Sequence, residues 1–214
     1  MKLDMPRGYF VTGTDTGVGK TVVAAILTLG LGADYWKPVQ SGIAGRPGLR
    51  TDTECVARWT GLGPERQWPE AYRLRLPASP HLSAAREQRR IRLARLRLPA
   101  SPRRLIVEGA GGVLAPLNGR QVMADLMAQL GLPVVLVARS SLGTINHTLL
   151  SLEALRARRL TIAGVVVNGP PEADNVAAIG HYGRVRILAV LPPLRALTPA
   201  RLRGAWRRFQ LARR

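Results

Sequence analysis

The stretch Gly13-Thr14-Asp15-Thr16-Gly17-Val18-Gly19-Lys20-Thr21 lies between the apolar run Tyr9-Phe10-Val11 and the apolar segment Val22-Val23-Ala24-Ala25-Ile26-Leu27. A strand, a glycine-rich turn and a helix in that order aim successive backbone N–H groups, and the positive end of the helix dipole, at one point. That arrangement suits a nucleotide phosphate. The usual phosphate loop reads G-x-x-x-x-G-K-[ST], with the lysine on the outer phosphates and the hydroxyl on magnesium. Here five residues separate Gly13 from Gly19-Lys20-Thr21, one more than that pattern has, while the G-K-T core and its strand-to-helix context persist. Gly17, Val18, Gly19, Lys20, Thr21 and Val22 are therefore the expected phosphate contacts.

Outward from this loop, short Val- and Ile-rich runs recur with helical stretches between them. The pattern predicts one α/β domain over residues 1–214, a parallel sheet with flanking helices of the phosphate-loop NTPase type. Strands are expected at Tyr9 to Thr12, Tyr35 to Lys37, Leu105 to Glu108, Val134 to Ala138, Ala163 to Asn168 and Ile187 to Leu191. They read as continuous apolar runs, as strands buried on both faces do. Helices are expected at Lys20 to Leu31, Val122 to Leu130 and Thr144 to Arg159. In the last of these, Ile145, Leu149, Leu152 and Leu155 share one face, either core or subunit contact. The region from Thr60 to Arg104 is irregular. It holds one octapeptide twice, Arg73 to Pro80 and Arg95 to Pro102, too few copies for a solenoid. Residues Thr198 to Arg214 suit a basic helix with Leu202, Trp206, Phe209 and Leu211 toward the body.

The formal net charge is +19 and the single cysteine is Cys55, which rules out an internal disulfide or a cysteine-cluster metal site. Without a membrane-length apolar run or a signal-peptide pattern near Met1, the chain reads as cytoplasmic and not membrane-bound. Basic surfaces attract polyanions, yet the stretch from Arg86 to Arg104 has no interleaved aromatic residues to stack on bases, so no specific nucleic acid is expected. Of the 32 basic residues only Lys2, Lys20 and Lys37 are lysines. A chain that otherwise uses arginine keeps a compact ammonium in the phosphate loop and in Lys37-Pro38-Val39-Gln40-Ser41-Gly42, where a planar guanidinium would not serve the same role.

Magnesium on ATP takes one or two carboxylates from a protein, with phosphate and water supplying the rest. Glu108 closes a buried strand and is followed by Gly109-Ala110-Gly111-Gly112, so it projects at the carboxyl end of the sheet where open α/β folds bind ligands. With the Thr21 hydroxyl it forms a metal set. Asp52 is either a third acidic group there or the N-cap of a helix through Cys55 to Trp59.

Taken together, these segments resemble the dethiobiotin synthetase family. The likeness runs through Tyr9 to Thr21, Lys37 to Gly42, Ser79-Pro80-His81, Val107 to Gly112, Leu142-Gly143-Thr144-Ile145-Asn146-His147 and Gly164 to Asn168. It implies carboxylation of 7,8-diaminononanoate by CO2, phosphorylation of the carbamate by ATP with Mg2+, and closure of the ring by the second amine. By this resemblance Lys20 and Lys37 are the catalytic cations, on the outer phosphates and on the carbamate. Thr12 and Ser41 bind the amine or carbamate end of the substrate. Glu108, Gly109, Ala110, Gly111, Asp52, Asn168, Gly169, Leu191, Pro192 and Pro193 line the nucleotide pocket, with the Asn168 amide reading the base. Gly143 and Asn146 receive the substrate carboxylate from the second subunit of a homodimer. His81 and His147 are read as core or hydrogen-bonding histidines, not as proton carriers. The alternative is a partitioning-type ATPase with non-specific DNA binding, which would use the basic surface and the loop but has no need of Lys37 to Gly42.

Overall fold

The computed structural model describes residues 6–43 and 50–210. In chain order its strands are β1 (Gly8–Gly13), β2 (Asp34–Trp36), β3 (Val39–Ser41), β4 (Gln67–Trp68), β5 (Tyr72–Leu74), β6 (Leu105–Glu108), β7 (Val134–Arg139), β8 (Ile162–Asn168) and β9 (Ile187–Leu191). The helices are α1 (Lys20–Leu31), α2 (Asp52–Thr60), α3 (Pro80–Arg86), α4 (Met123–Leu130), α5 (Thr144–Ala157), α6 (Ala173–Gly183) and α7 (Pro199–Trp206).

A seven-stranded sheet runs β4-β2-β6-β1-β7-β8-β9, and every pairing in it is parallel. The expected α/β class and all six expected strands are present, with ends shifted by a residue or two. Because successive side chains along a strand point to opposite faces, neighbouring residues fall into two separate cores. Phe10, Val107, Leu136 and Val165 pack with Met123 and Leu126 of α4 and Leu152 and Leu155 of α5. Val11, Ile106, Val135 and Val166 pack with Val23 and Ile26 of α1, Val56 of α2 and Leu202 of α7.

The face predicted for α5 is core: Leu152 and Leu155 are fully buried, and Ile145 and Leu149 pack partly buried against them. The basic tail forms α7, capped by the Thr198 hydroxyl, which accepts from the Arg201 N–H. Its Leu202 and Phe209 are buried, and Trp206 lies over Gly30 of α1, where an added Cβ would stand 2.2 Å from the indole. Leu211 lies outside the described residues.

Sequence periodicity did not foresee α3, α6, or the small parallel sheet in which β3 pairs with β5. That pairing matters for the site, because it fixes Ser41 opposite Leu74 and carries the chain into Gly42 at φ +81. The two copies of the octapeptide fold differently. The first contributes Arg73 and Leu74 to β5 and leads into α3, while the second contributes Arg95 to a 3-10 turn and then runs as a loop toward β6. Identical sequence in different surroundings gives no structural repeat.

Candidate active site

The central strand β1 delivers the phosphate loop at its carboxyl end. Gly17 at φ 72 and Gly19 at φ 96 take backbone conformations that residues with a Cβ rarely adopt. A Cβ on Gly19 would also stand 2.1 Å from the Asn168 side-chain nitrogen. Two glycines are thus required for the loop to curl back on itself. Lys20 opens α1, is almost fully buried, and donates to the Asp15 carbonyl at 2.7 Å.

The neighbouring strands bring Glu108 and Lys37 to the same edge, and the start of α2 brings Asp52. Register pairs Val11 with Glu108 and Trp36 with Val107, so Lys37, one residue beyond β2, emerges beside Glu108. Glu108 is buried, and its carboxylate accepts from the Thr21 hydroxyl at 2.9 Å, the Tyr35 hydroxyl at 2.8 Å and the Lys37 ammonium at 2.8 Å. Asp52 lies 2.5 Å from the Lys37 ammonium, and its other carboxylate oxygen stands 3.2 Å from the Thr21 hydroxyl oxygen, whose one proton is shared with the closer Glu108. Lys37 therefore bridges two carboxylates, and also donates to the Gly109 carbonyl at 3.3 Å.

The N-cap reading of Asp52 is corrected. Thr51 is the cap: its hydroxyl accepts from the Glu54 N–H at 3.2 Å while the Glu54 carboxylate accepts from the Thr51 N–H at 2.8 Å. Helix α2 begins at Asp52 itself, which leaves the Asp52 side chain free to face Thr21 and Lys37.

Electrostatics separate the two lysines. Burial, and then the charge of Lys37 close by, lower the pKa of Lys20 from 10.5 to about 8, against the pull of Glu108 and Asp52. Burial also works against the Lys37 ammonium, but the Glu108 and Asp52 carboxylates outweigh it and hold its pKa above the ordinary lysine value. Burial, reinforced by the Glu108 charge, pushes the Tyr35 hydroxyl well above its ordinary range, so it serves as a donor. Lys20 thus loses its proton closer to neutral pH than an ordinary lysine does. Nucleotide phosphates favour its charged form, so binding is tight below about pH 8 and costs proton uptake above it. Apparent ATP affinity is expected to be flat up to about pH 7 and to fall by up to about tenfold per pH unit above pH 8. Calorimetry at pH 9 in two buffers of different ionisation enthalpy should show uptake of about one proton; a pH-independent affinity would contradict the assignment.

Thr16, Gly17, Gly19, Lys20, Thr21, Val22, Lys37, Ser41, Asp52, Glu108, Ala110 and Gly111 line one cavity of about 430 Å³, together with Gln40 and Trp59. Most of the residues singled out in the sequence thus meet at one place. Asn168 approaches from the other side, donating its side-chain amide to the Val18 carbonyl at 2.9 Å. Gly169 donates to the Leu191 carbonyl at 2.9 Å, tying the Asn168-Gly169 turn to the Leu191-Pro192-Pro193 segment. Thr12 is fully buried with an unpartnered hydroxyl. Gly143 and Asn146 are exposed and do not line the cavity. His81 and His147 are not core residues. Both are exposed, His81 sharing a hydrogen bond of 3.0 Å with the Ser79 hydroxyl and His147 bordering a cleft with Thr14, Asp15, Leu114 and Leu150.

Among the described residues there is no group of three or more His, Cys, Asp or Glu side chains placed to hold a metal. The hydroxyl of Thr21 touching one oxygen each of Asp52 and Glu108 is nevertheless a compact set of hard donors, which fits a magnesium ion that takes its remaining ligands from phosphate and water. No helix among the described residues is long and apolar enough to cross a membrane. Sequence reading missed Tyr35, which sits in a stretch legible only as apolar strand. It also missed Trp59, seven residues beyond Asp52 and so on the same helical face, a spacing that could have found it.

Residues 7–201 match a family model described as an AAA domain. The ATP-dependent dethiobiotin synthetase BioD of Paramagnetospirillum magneticum is 52% identical over 92% of this chain and 94% of its own length. The synthetase of the same name from Agrobacterium fabrum is 50% identical over 97% of each chain. A biotin biosynthesis bifunctional protein BioCD from Bordetella avium is 54% identical over 88% of this chain, which spans 40% of that longer protein. Among solved structures, a ParA family ATPase from Chlorobium tepidum superposes over 95% of this chain and 90% of its own with a TM-score of 0.55 at 12% identity. A Cyanthece apo McdA covers 93% and 88% with a TM-score of 0.54 at 13% identity. At such low identity these two establish the fold alone. The phosphate loop with its paired lysines and carboxylates, together with relatives at half identity over nearly the whole length, lead to one conclusion: the chain belongs to the ATP-dependent dethiobiotin synthetase family.

Proposed function

We propose that this chain, as one ATP-binding domain over residues 1–214, makes dethiobiotin from 7,8-diaminononanoate, CO2 and ATP in biotin biosynthesis, as a cytoplasmic homodimer. One observation carries the reading: the Lys37 ammonium lies between Glu108 and Asp52 in the cavity shared with Lys20, Thr21 and Ser41. One amine of the substrate adds to the carbon of CO2 and loses a proton, giving a carbamate. A carbamate oxygen then attacks the γ-phosphorus and ADP leaves. The second amine attacks the carbamoyl carbon, phosphate departs with the bridging oxygen, and a second proton is released as the ring closes.

Each step gathers negative charge, so fixed cations and oriented donors supply most of the acceleration. Lys20 and the loop amides hold the outer phosphates. Lys37 turns toward the carbamate and its phosphate anhydride, and Ser41 and Thr12 orient the substrate end. Thr21, Asp52 and Glu108 hold the magnesium, which when bound neutralises phosphate charge. Asn168 commits its side-chain nitrogen to Val18, which leaves its oxygen to accept from the exocyclic amine of adenine beside Gly169, Leu191, Pro192 and Pro193.

Gly143 and Asn146 reach the substrate carboxylate of the partner subunit's site. Exposed Leu114, Leu142 and Leu150 around that region support a subunit contact there. Expression in a bacterial strain that lacks dethiobiotin synthetase tests the assignment. Growth without biotin is expected. A strain that grows only when dethiobiotin is added, despite soluble protein, would contradict it.

A further inference from the structure

Gln40 lines the cavity in the middle of the Lys37 to Gly42 segment, and no step above uses it. We infer that Gln40 is a positioning residue that fixes Asp52 to the segment carrying Lys37 and Ser41; the inference rests on Asp52 belonging to the magnesium set. Gln40 is 8% exposed. Its side-chain oxygen accepts from the Asp52 backbone N–H at 3.0 Å, and its nitrogen donates to the Ser41 carbonyl at 2.9 Å. Both ends of the amide are committed, which leaves the side chain one orientation.

The Asp52 N–H lies in the first turn of α2, where backbone donors have no partner within the helix. The Thr51 and Glu54 side chains already close the helix end on each other. Gln40 adds something the cap does not, a neutral tie from the helix to a strand segment twelve residues earlier. Another tie between these segments is the pair formed by Lys37 and Asp52, and the reaction redirects Lys37 toward the carbamate. When that happens, the Gln40 amide keeps Asp52 at its distance from Thr21 and Glu108. Strand segment and helix then move as one body.

The test compares Gln40→Met, which keeps the bulk and loses both hydrogen bonds, with Thr51→Ala, which weakens the cap without touching the strand segment. Gln40→Ala serves as a second variant should the first fail to fold. Binding of ATP is followed by calorimetry as magnesium is raised, and melting is recorded for each protein. Gln40→Met is expected to raise the magnesium concentration for half-maximal ATP binding by about tenfold, as loss of a group orienting a metal ligand does. Thr51→Ala should lower the melting temperature and leave that concentration unchanged. An equal shift in both variants, or a change confined to melting, would overturn the inference. Parent protein whose ATP binding ignores magnesium would overturn the metal set and the inference with it, whereas a magnesium-dependent parent with an unshifted Gln40→Met would overturn the inference alone.

Discussion

Lys37→Met is expected to abolish ring closure and to make the stability of the fold respond to magnesium. The Lys37 ammonium is the cation between Asp52 and Glu108, at 2.5 and 2.8 Å, and the carboxylates keep it charged throughout the working pH range. Removing a preorganised charge from the place where negative charge develops costs about 10²- to 10³-fold in rate at the least. Methionine fills the same volume, so the core below is unaffected, but two carboxylates then face each other across Thr21 with no cation in direct contact among the described residues and only the charge of Lys20 farther off in the cavity. Breaking a buried pair costs about 3–5 kcal/mol, and the lower end applies here because the Asp52 side chain keeps 30% of its exposure. A divalent ion at those oxygens offsets the repulsion. The variant should therefore melt lower than the parent without magnesium and gain more than the parent when it is added. Melting curves with and without magnesium, beside turnover assays, check both parts; a folded Lys37→Met that still turns over would remove the role given to this lysine.

Glu108→Gln should be nearly as damaging for a different reason. The carboxylate accepts from three donors, the Thr21 hydroxyl, the Tyr35 hydroxyl and Lys37. An amide of the same shape has one accepting oxygen, and its NH2 either forces the hydroxyl it faces to turn from donor to acceptor or opposes the Lys37 ammonium, which cannot accept. The substitution removes a hard anionic ligand and leaves Asp52 as the one carboxylate paired with Lys37 among the described residues. Magnesium-dependent ATP binding should weaken by at least about tenfold and turnover should fall by about 10²-fold or more, by analogy with the loss of groups that hold or orient a metal. Binding measured in magnesium and again in chelator distinguishes this from unfolding: the parent should lose affinity on chelation, and the variant should lose little more. A Glu108→Gln protein with the parent's magnesium response would exclude Glu108 from the metal set.

Much of this site could be read from residue order because its parts follow strong local signals. A glycine-rich turn followed by Lys20-Thr21 has few structural uses, and Glu108 at the end of a continuous apolar strand can only emerge at the sheet edge. Asp52 was harder, since an acidic residue at a helix start serves as cap or ligand with equal ease. Only the Thr51–Glu54 reciprocal cap, seen in three dimensions, frees it for Lys37. Tyr35 gave no signal, being buried in a strand whose pattern reads as apolar; Gln40 stands inside the Lys37 to Gly42 segment, but its role shows only through a helix twelve residues away. The helix α6 escaped because Asn175, Gly180 and Gly183 break its pattern and little of it beyond Ile179 and Gly183 is buried. Strands β3 and β5 escaped because three-residue segments far apart pair through context. Of the two readings open for His147, core or hydrogen-bonding, the core one fails because the residue is exposed, and a lone histidine carries no periodic signal that could have decided between them.

The most direct measurement is phosphate release by the purified protein with ATP, magnesium and bicarbonate, with and without 7,8-diaminononanoate, alongside mass spectrometry of the organic product. Phosphate release should depend on the diamine, with one dethiobiotin formed for each phosphate. Hydrolysis that ignores the diamine, yields no dethiobiotin and rises with added DNA would contradict the assignment.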